Sequence, residues 1–514
     1  MTADEAPTQT PGDTHRSIGQ SVAVLTALAL AIVLGTAAAP SGVALPLFAI
    51  VLVGAMVVAA ANLQYGLVVG LTAVALLPAP FSVRVAGATL TAGRVLLLAT
   101  LLGWFTQRRR AGMERPRSTP LDLFMGVLIG AQLASFIVNL PAEHGSVMSG
   151  AISRVGVFAV DFFLLYRVVT VAFRQRSQAI RFVRYLTGLI TVIAALGLVE
   201  WVTGRNVFEF LSPVLPGRVN RSIAALADAA VLQRGAISRI HSTLGHPLAL
   251  AVLLLIALPL AAAFALGAES TAARVRWTVA SVTISTAILF TASRGAYLIL
   301  VPMFLTMVVL APDRRARASL AMVTGGFVVL ALLIPDVRGT MTYHLRSLTA
   351  PSARGASIEH RTSAYGATVE LLADRPVFGF GPGTFTASEL RQNRLLSDRV
   401  EVPVLDNGYL ELVAETGAIG AVSVIGFLFA AALMTYRVYR SAVTRRDRLL
   451  GAALVTSVEA WILFAFFADV YGYGAPPRVF FALLGVVAVL RTHPPARRRR
   501  PLMARQRPLV AAPI

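Results

Sequence analysis

The sequence predicts an all-α polytopic membrane protein with about 12–14 transmembrane helices and a large extracytoplasmic loop that carries short surface helices. Of the 514 residues, 56% are hydrophobic and only 14% are charged. Apolar runs of about 20 residues recur along most of the chain, and a soluble protein of this length lacks such runs. Arginines are concentrated in short connections between the runs, as they are in the cytoplasmic loops of helical membrane proteins.

The apolar runs divide into about fourteen candidate spans of roughly 17 to 25 residues. The spans begin near Ser21, Val43, Leu63, Leu90, Leu121, Ile152, Phe182, His246, Val275, Ala296, Ala318, Asn407, Leu449 and Val479. The predicted boundaries are a disordered cytoplasmic N-terminus at 1–20, N-terminal transmembrane helices at 21–203, an external loop at 204–245, central transmembrane helices at 246–334, a large external loop at 335–406, C-terminal transmembrane helices at 407–491 and a basic cytoplasmic tail at 492–514.

Short connections that are dense in arginine alternate with connections that are either long or carry few charges. Because short basic loops stay in the cytoplasm, this alternation predicts two cytoplasmic termini and an even number of spans. The same rule accounts for much of the net charge of +21, so the charge does not require a nucleic-acid partner. The basic connections are 107–117, 174–184, 271–276, 313–318 and 437–448.

Both long external loops also contain many arginines, which topology does not explain. Guanidinium groups bind phosphate in a bidentate manner, so one interpretation is an anionic ligand at the outer leaflet; the other is a solvated or headgroup-facing surface. In the second loop, Ala364, Ala367 and Leu371 recur at helical spacing, which predicts a short surface helix over 363–374. The glycine-rich stretch 379–383 follows no strand and carries no lysine, so we interpret it as a tight turn and not as a nucleotide site.

Arg294 and Asp406 are candidates for chemistry. Arg294 stands between two apolar spans with almost no connection, so its charge lies at the outer edge of the bundle. It either binds a ligand there or extends towards the lipid headgroups. Asp406, followed by Asn407, precedes a span, where it either caps the helix or acts as a general base towards a hydroxyl.

Other carboxylates predict ion pairs. Glu411 and Glu415 lie four residues apart on one helix face, and we expect them to pair with arginines of the large loop. Asp161 follows Arg154 by two helical turns, so these two residues are expected to pair inside the bundle. No acidic triad resembles a divalent-metal site, and the chain contains no cysteine. We therefore expect no metal, no cofactor and no disulfide.

Four pieces of the sequence resemble the O-antigen ligase and Wzy-like polymerase family of membrane glycosyltransferases. Each piece alone is weak, but their order and their positions between the spans make the set fairly specific. The resemblance covers roughly 239–419. The pieces are RIHSTLGHPLALA at 239–251, TASRGAYLIL at 291–300, HRTSAYGATVELLADRPVFGFGPGTF at 360–385 and DNGYLELVAETGAIG at 406–420.

The resemblance implies a C-type glycosyltransferase fold that works without metal at the outer face of a bacterial cytoplasmic membrane. The donor would be a glycan on a polyprenyl diphosphate carrier and the acceptor a hydroxyl of a glycan or lipid, in cell-surface polysaccharide biosynthesis, with membrane lipids and no nucleic acid as partners. Arg239, Arg294 and Arg361 match the arginine positions that bind the diphosphate in the family. The further substrate-binding candidates are His246, Asn407 and Arg375.

Asp406 departs from the family pattern. The ligases typically carry histidine at this position, where it is proposed to activate the acceptor hydroxyl, and an Asp-Asn pair is closer to the polymerase-like branch. A carboxylate can perform the same task, so Asp406 is the candidate base, while His344 and His360 lie in the same loop as alternatives. A transporter or flippase is the alternative function, although the sequence shows no inverted repeat and no pair of broken spans.

Overall fold

The fold is a bundle of long α-helices. The computed structural model describes residues 57, 61–77, 82–85, 88–91, 94, 96–101, 103–104, 118–140, 146–210, 233–234, 237–333, 335, 338–339, 342, 365–366, 368–385 and 405–494. Its helices are α1 Leu63–Leu76, α2 Pro120–Asn139, α3 Ser146–Gly156, α4 Leu165–Ala172, α5 Arg176–Thr203, α6 Val207–Phe210, α7 Pro247–Leu266, α8 Thr271–Phe290, α9 Arg294–Leu310, α10 Arg314–Leu333, α11 Gly408–Arg440, α12 Arg445–Phe464 and α13 Ala475–Thr492.

Short elements of other kinds interrupt the helices. A π-helix at Val157–Leu164 joins α3 to α4, and a 3-10 turn spans Ser242–Leu244. Two antiparallel hairpins are formed by β1 (Ser82–Val85) with β2 (Ala88–Thr91) and by β3 (Gln233–Arg234) with β4 (Ile237–Ser238).

The fourth predicted span starts too early. Leu90 lies in β2, opposite Val83 of β1, and helical backbone is first seen at Arg94. Alternating β-branched residues bounded by Gly87 and Gly93 favour a hairpin at this point over the start of a helix.

The centre of the bundle is formed by α7 and α13. α7 contains no charged residue and is apolar on every face, which is typical of a helix surrounded by other helices. In the most apolar window of each helix, 83% of the residues are buried in α7 and 89% in α13, against 33% in α2. α7 packs against α5, α8, α12 and α13, whereas α2 packs against α11. The two most buried helices are therefore shielded from lipid by the others.

The outer helices expose large apolar side chains, which a soluble protein would bury. Examples are Val279, Val282, Leu298, Val301, Leu305, Val422, Ile425 and Phe429. Six described helices are long and apolar enough to cross a membrane: Pro120–Asn139, Met148–Ala172, Arg176–Thr203, Pro247–Leu266, Gly408–Arg440 and Ala475–Thr492. The predicted class of all-α polytopic membrane protein is confirmed. The total number of spans stays a prediction, because those expected near Ser21 and Val43 lie outside the described residues.

Four helix connections meet at one end of the bundle, which we call the basic end: 173–175, 267–270, 311–313 and 441–444. Three of them directly adjoin arginines, and the fourth, 267–270, is followed by Arg274 and Arg276 in α8, as the sequence indicates for cytoplasmic loops. Ion pairs tie them together, so the helices between them alternate in direction. The pairs are Arg176 with Asp447 at 2.7 Å, Arg446 with Glu269 at 2.5 Å and Arg445 with Asp313 at 2.6 Å.

Asp161 is paired inside the bundle, but not with the predicted partner. Its carboxylate lies 3.2 Å from Nε of Arg94 and accepts a hydrogen bond from Arg478 at the start of α13. The expected pair with Arg154 is wrong. The π-helix that holds Asp161 is wider than an α-helix, so the spacing of seven residues no longer places the two side chains on one face.

Arg154 instead bridges the two glutamates of α11. Its guanidinium lies 2.9 Å from Oε1 of Glu411 and 3.2 Å from Oε2 of Glu415, and all three side chains are buried. The prediction that these glutamates pair with arginines of the large loop is therefore wrong. The helix face was predicted correctly, but helix packing brings that face against α3, so the guanidinium that it meets is that of Arg154.

Candidate functional site

The segment 465–474, which connects α12 to α13 and which we call the connector, lies at the end of the bundle opposite the basic end. The backbone N–H of Gly408 donates to the carbonyls of Ala465 at 2.9 Å and Ala468 at 3.1 Å. A Cβ on Gly295 would lie 2.9 Å from Cγ of Phe467, so the absence of a side chain lets α9 approach the connector. The first turns of α9 and α11 therefore meet at the same segment.

A third helix begins at the connector. The ring of His246 stacks on Tyr473 with 5.8 Å between the ring centres, and its Nδ1 caps α7 by accepting from the Leu248 N–H at 3.2 Å. Ser293 caps α9, and Asn407 caps α11 by accepting from the N–H groups of the next turn at 3.0 and 3.1 Å. Each helix N-terminus carries partial positive charge, so three of them together favour an anion at the connector.

Arg239 is held beside the start of α9. The residue is buried, and its Nε donates to the carbonyl of Thr291 at 2.9 Å. The backbone N–H of Ile240 donates to the carbonyl of Phe290 at 3.1 Å. Arg239 and Arg294, which are 55 residues apart in the sequence, are thus brought to the same end of the bundle.

Asp406 is half-buried and directly precedes the cap of α11. The cap residue is Asn407, whose Oδ1 accepts the two capping hydrogen bonds. The capping explanation for Asp406 is therefore wrong. Its role as a general base stays a prediction.

Tyr365 links the large loop to the connector. Its hydroxyl accepts from Nδ2 of Asn407 at 3.4 Å and donates to the carbonyl of Phe466 at 3.5 Å. Tyr365 gives no functional signal in the sequence, although it lies inside one of the four family-like pieces. Arg361, four residues earlier, lies outside the described residues, as do His344 and His360.

The helix predicted over 363–374 is observed where the chain is described. Residues 365–366 and 368–374 are helical, and Arg375 follows the last helical residue. Leu371 packs against a small apolar cluster that includes Phe380 and Leu405. The helix therefore covers the glycine-rich stretch and the residue before Asp406.

α11 is broken at Gly417, whose φ of 64° and ψ of −155° are not helical. A regular helix would join the carbonyls of residues 414 and 415 to the N–H groups of residues 418 and 419. The segment 376–383, which we call the glycine segment, supplies partners for all four groups. The hydrogen bonds run from Phe380 N to Ala414 O at 3.0 Å, from Gly381 N to Glu415 O at 3.0 Å, from Ala418 N to Pro376 O at 2.8 Å and from Ile419 N to Val377 O at 3.5 Å.

The glycine segment thus supplies the backbone hydrogen bonds that the broken helix lacks, which is a role beyond that of the predicted tight turn. Gly379, Gly381 and Gly383 all have positive φ, and a Cβ on Gly379 would lie 2.5 Å from the carbonyl oxygen of Ala414. Glycine is required here by backbone conformation and by close approach.

The buried glutamates attach the glycine segment to the connector. Oε1 of Glu415 accepts from the Gly383 N–H at 2.8 Å, and Arg154 holds the other oxygen of this carboxylate. Glu411 lies next to Asp469 of the connector and is held by the same guanidinium. The network positions the large loop relative to Asn407.

Arg375 has a structural role at this point of the fold. Its NH1 group donates to Oδ1 of Asn139 in α2, and its guanidinium lies 5.3 Å from the ring centre of Phe380. These contacts hold the glycine segment against α2. Substrate binding by Arg375 stays a prediction.

We expect Gly417→Ala to lower the free energy of unfolding by more than about 2 kcal/mol. A Cβ at this position meets the backbone of Val377, and the positive φ is strained for alanine. The measurement is the thermal unfolding of the purified protein in detergent. Gly188→Ala in α5 is the matched control, because no atom lies within 4 Å of its added Cβ; it should stabilise the protein by up to about 1 kcal/mol. Equal melting temperatures for the two variants would contradict the close packing of the glycine segment against Gly417.

A second buried cluster holds the segment that contains Arg239. Oε2 of Glu200 accepts from the Ser242 N–H at 2.7 Å and from Nδ2 of Asn206 at 3.0 Å. His241 lies beside it, with Nε2 3.4 Å from Oε1 of Glu200. Burial lowers the pKa of His241 to about 4, so its imidazole is neutral at physiological pH.

This burial predicts a pH dependence of stability. The pKa of His241 is lower in the folded protein than in the unfolded chain, where it is about 6.5. The unfolded state therefore binds the extra proton, so the protonation of His241 by itself lowers the stability of the fold as the pH decreases from about 6.5 to 4. Melting curves recorded at several pH values across this range test the predicted dependence. His241→Asn should flatten the dependence; an unchanged slope would show that His241 does not cause it.

The described part of the chain contains no candidate metal site. Within those residues, no group of three or more histidine and acidic side chains is arranged to hold a metal ion. A metal-independent site stays a prediction.

Residues 279–425 match the family described as O-antigen ligase. The match begins in α8 and ends in α11, and it includes three of the four pieces that suggested this family, at 291–300, 360–385 and 406–420. The resemblance to the O-antigen ligase family is therefore confirmed for this region. It indicates in general terms a glycosyl-transferring membrane ligase or polymerase that acts on a lipid-linked glycan and an acceptor. Comparison with curated proteins finds no match.

Proposed function

We propose that this protein, which carries an O-antigen ligase-like region at 279–425, transfers or polymerises a glycan from a polyprenyl diphosphate carrier onto an acceptor hydroxyl. The reaction takes place at the outer face of a bacterial cytoplasmic membrane, in cell-surface polysaccharide biosynthesis. The observation that carries the proposal is that Arg239, Arg294 and three helix N-termini lie at the end of the bundle that holds the connector. Such a site fits a substrate whose leaving group is a diphosphate.

The donor diphosphate binds at Arg239, Arg294 and Arg361. Charge on a departing diphosphate increases as its bond to the sugar breaks, and guanidinium groups stabilise this charge when they are fixed in advance. Arg239 is fixed by its hydrogen bond to Thr291, and Arg294 by its place in the first turn of α9. The N-termini of α7, α9 and α11 add partial positive charge from the backbone.

The acceptor is activated by Asp406. Its carboxylate takes the proton of the acceptor hydroxyl, and the hydroxyl oxygen attacks the anomeric carbon of the donor sugar. A glycosidic C–O bond forms, the C–O bond to the diphosphate breaks, and the carrier diphosphate leaves with the electron pair. Asn407 holds Asp406 in place, since it caps α11 and contacts Tyr365. His246 orients the substrate at the N-terminus of α7.

The site residues favour polymerisation over ligation. Asp406 stands where the ligases of the family typically carry histidine. A glycan acceptor in a growing polymer therefore fits this chain better than the acceptor of a ligase. The distinction between polymerase and ligase depends on the identity of the base, Asp406.

Reaction of purified protein with a synthetic polyprenyl diphosphate oligosaccharide tests the function. We expect longer oligosaccharides on the carrier, or transfer to an added glycan acceptor, and the same yield when EDTA is present. The control is protein with Arg294→Ala and Asp406→Asn together. Folded wild-type protein that gives no product, but moves the carrier-linked glycan across vesicle membranes, would contradict the proposal in favour of a flippase.

A further inference from the structure

A large cavity lies at the basic end, far from the connector. It has a volume of about 740 Å³ and opens between α5, α7, α8 and α12. Arg184, Arg276 and Arg446 line it, together with Glu269 and Asp447. The cavity brings together charges from α5, α8, α12 and the connection 267–270, and it is not part of the proposed glycosyl transfer.

The positive charge of this cavity is not balanced by its own acids. Glu269 is paired with Arg446 at 2.5 Å, and Asp447 with Arg176 outside the cavity at 2.7 Å. Among the described residues, no carboxylate lies within ion-pair distance of Arg184 or Arg276.

Arg184 is also surrounded by charges of its own sign, from Arg181, Arg276 and Arg446. Like charges this close repel one another unless an anion lies between them. The cavity therefore favours a ligand with negative charge.

Two aromatic rings hold the two arginines in place. The guanidinium of Arg184 lies 5.5 Å from the ring centre of Phe264, and that of Arg276 lies 5.5 Å from the ring centre of Trp277. The two rings are themselves 5.0 Å apart. A guanidinium that stacks on an aromatic ring contacts the ring with its flat face. The N–H groups around its edge therefore stay available to donate to a phosphate.

The start of α8 adds donors from the backbone. Ser270 caps this helix by accepting from the Ala273 N–H at 3.2 Å, and both residues line the cavity. The positive end of α8 therefore faces the same space as the arginines. This combination of a helix N-terminus and an arginine pair is suited to a phosphate group.

The cavity is also partly apolar, which indicates a lipid. Phe264 and Trp277 are each 8% exposed, and Ile180 and Leu450 extend the apolar wall. Tryptophan and arginine at the ends of membrane helices mark the headgroup level of the bilayer. We propose that this cavity binds the phosphate headgroup of an anionic phospholipid in the leaflet at the basic end, with Arg184 and Arg276 as the phosphate ligands. The proposal does not depend on the glycosyltransferase assignment.

The test compares lipids on the purified full-length protein in phosphatidylcholine nanodiscs. Phosphatidylglycerol is titrated in, and the rise in melting temperature and the lipid retained in native mass spectra are measured. We expect a saturable rise for the wild type. The double variant Arg184→Gln/Arg276→Gln should bind phosphatidylglycerol at least about tenfold more weakly for each arginine removed. Arg274→Gln is the matched control, since this exposed arginine of α8 does not line the cavity.

Three results would overturn the proposal. One is equal phosphatidylglycerol binding by the wild type and the double variant. Another is equal loss in the Arg274→Gln control, which would indicate general surface charge. The third is saturation by inorganic phosphate with an affinity as high as that for the lipid, which would indicate a soluble anion.

Folding of the double variant is checked by its melting temperature in phosphatidylcholine alone. If that temperature falls, Arg184→Lys and Arg276→Lys carry the test. Lysine keeps the positive charge but lacks the planar guanidinium that donates two hydrogen bonds to one phosphate. Phosphatidylglycerol binding should therefore weaken without being lost. Binding unchanged in both lysine variants would contradict bidentate contact with the phosphate.

Discussion

Replacing Arg294 with alanine is expected to lower glycosyl transfer at least about 100-fold, without loss of folded protein. Arg294 is the first residue of α9, at a helix N-terminus that meets the connector. Alanine removes the charge that would stabilise the departing diphosphate, whereas the cap residue Ser293 and the contact of Gly295 with Phe467 remain. The measurement is the initial rate of product formation from a synthetic polyprenyl diphosphate glycan.

Two further variants make this result specific. Arg294→Lys should keep part of the activity, because lysine retains the positive charge but cannot donate two parallel hydrogen bonds to a phosphate. Arg205→Ala removes an exposed arginine that follows α5 at the same end of the bundle, and its rate should equal that of the wild type. A similar loss in Arg205→Ala would mean that general surface charge, and not a defined diphosphate contact, controls the rate. Full activity in Arg294→Ala would remove this residue from the site.

Asp406→Asn should reduce the rate by about 100-fold to 10,000-fold, because an amide cannot accept the proton of the acceptor hydroxyl. The shape of the side chain is nearly unchanged, and the helix cap is supplied by Asn407, so the fold should be retained. The rate with saturating donor, measured against pH, is the appropriate readout. Asp374→Asn in the loop helix is the matched control, since that residue is exposed.

Asp406→His separates general base catalysis from a structural role. Histidine should restore part of the rate, and the acidic limb of the pH profile should move to higher pH, because an imidazole takes up its proton at a higher pH than a carboxylate does. A purely structural role predicts no such movement. Wild-type activity in Asp406→Asn would instead direct attention to His344 and His360 of the same loop.

Several candidate residues could be identified without the structure because they lie in short motifs. Arg239, Arg294, Asp406 and Asn407 all fall in the four family-like pieces, and the structure brings these pieces to one end of the bundle. Tyr365 lies in the same motifs but was missed, since a tyrosine in a polar loop gives no signal of its own. The connector was missed for a similar reason: its residues form a short interruption between two apolar spans.

The ion pairs inside the bundle show where sequence reasoning fails. Spacing along one helix identified Arg154, Asp161, Glu411 and Glu415 as residues that need partners, yet it assigned the wrong partner in each case. Partners are decided by which helix packs against which face, and the π-helix at 157–164 changes those faces locally. The same limit applies to the glycine segment, whose hydrogen bonds go to a helix more than 30 residues away.

By itself, the sequence determined the membrane class, the arginine-rich end of the bundle and the family-like motifs, because hydropathy, charge and short motifs are properties of neighbouring residues. The tertiary structure alone decided that α7, α9 and α11 begin at one connector and that the glycine segment fills the break at Gly417. It also decided that Arg184 and Arg276, which have no carboxylate partner among the described residues, line one cavity at the basic end. Each of these features depends on contacts between helices that are far apart in the chain. No local pattern specifies such contacts, since many helix arrangements would bury the same apolar faces equally well.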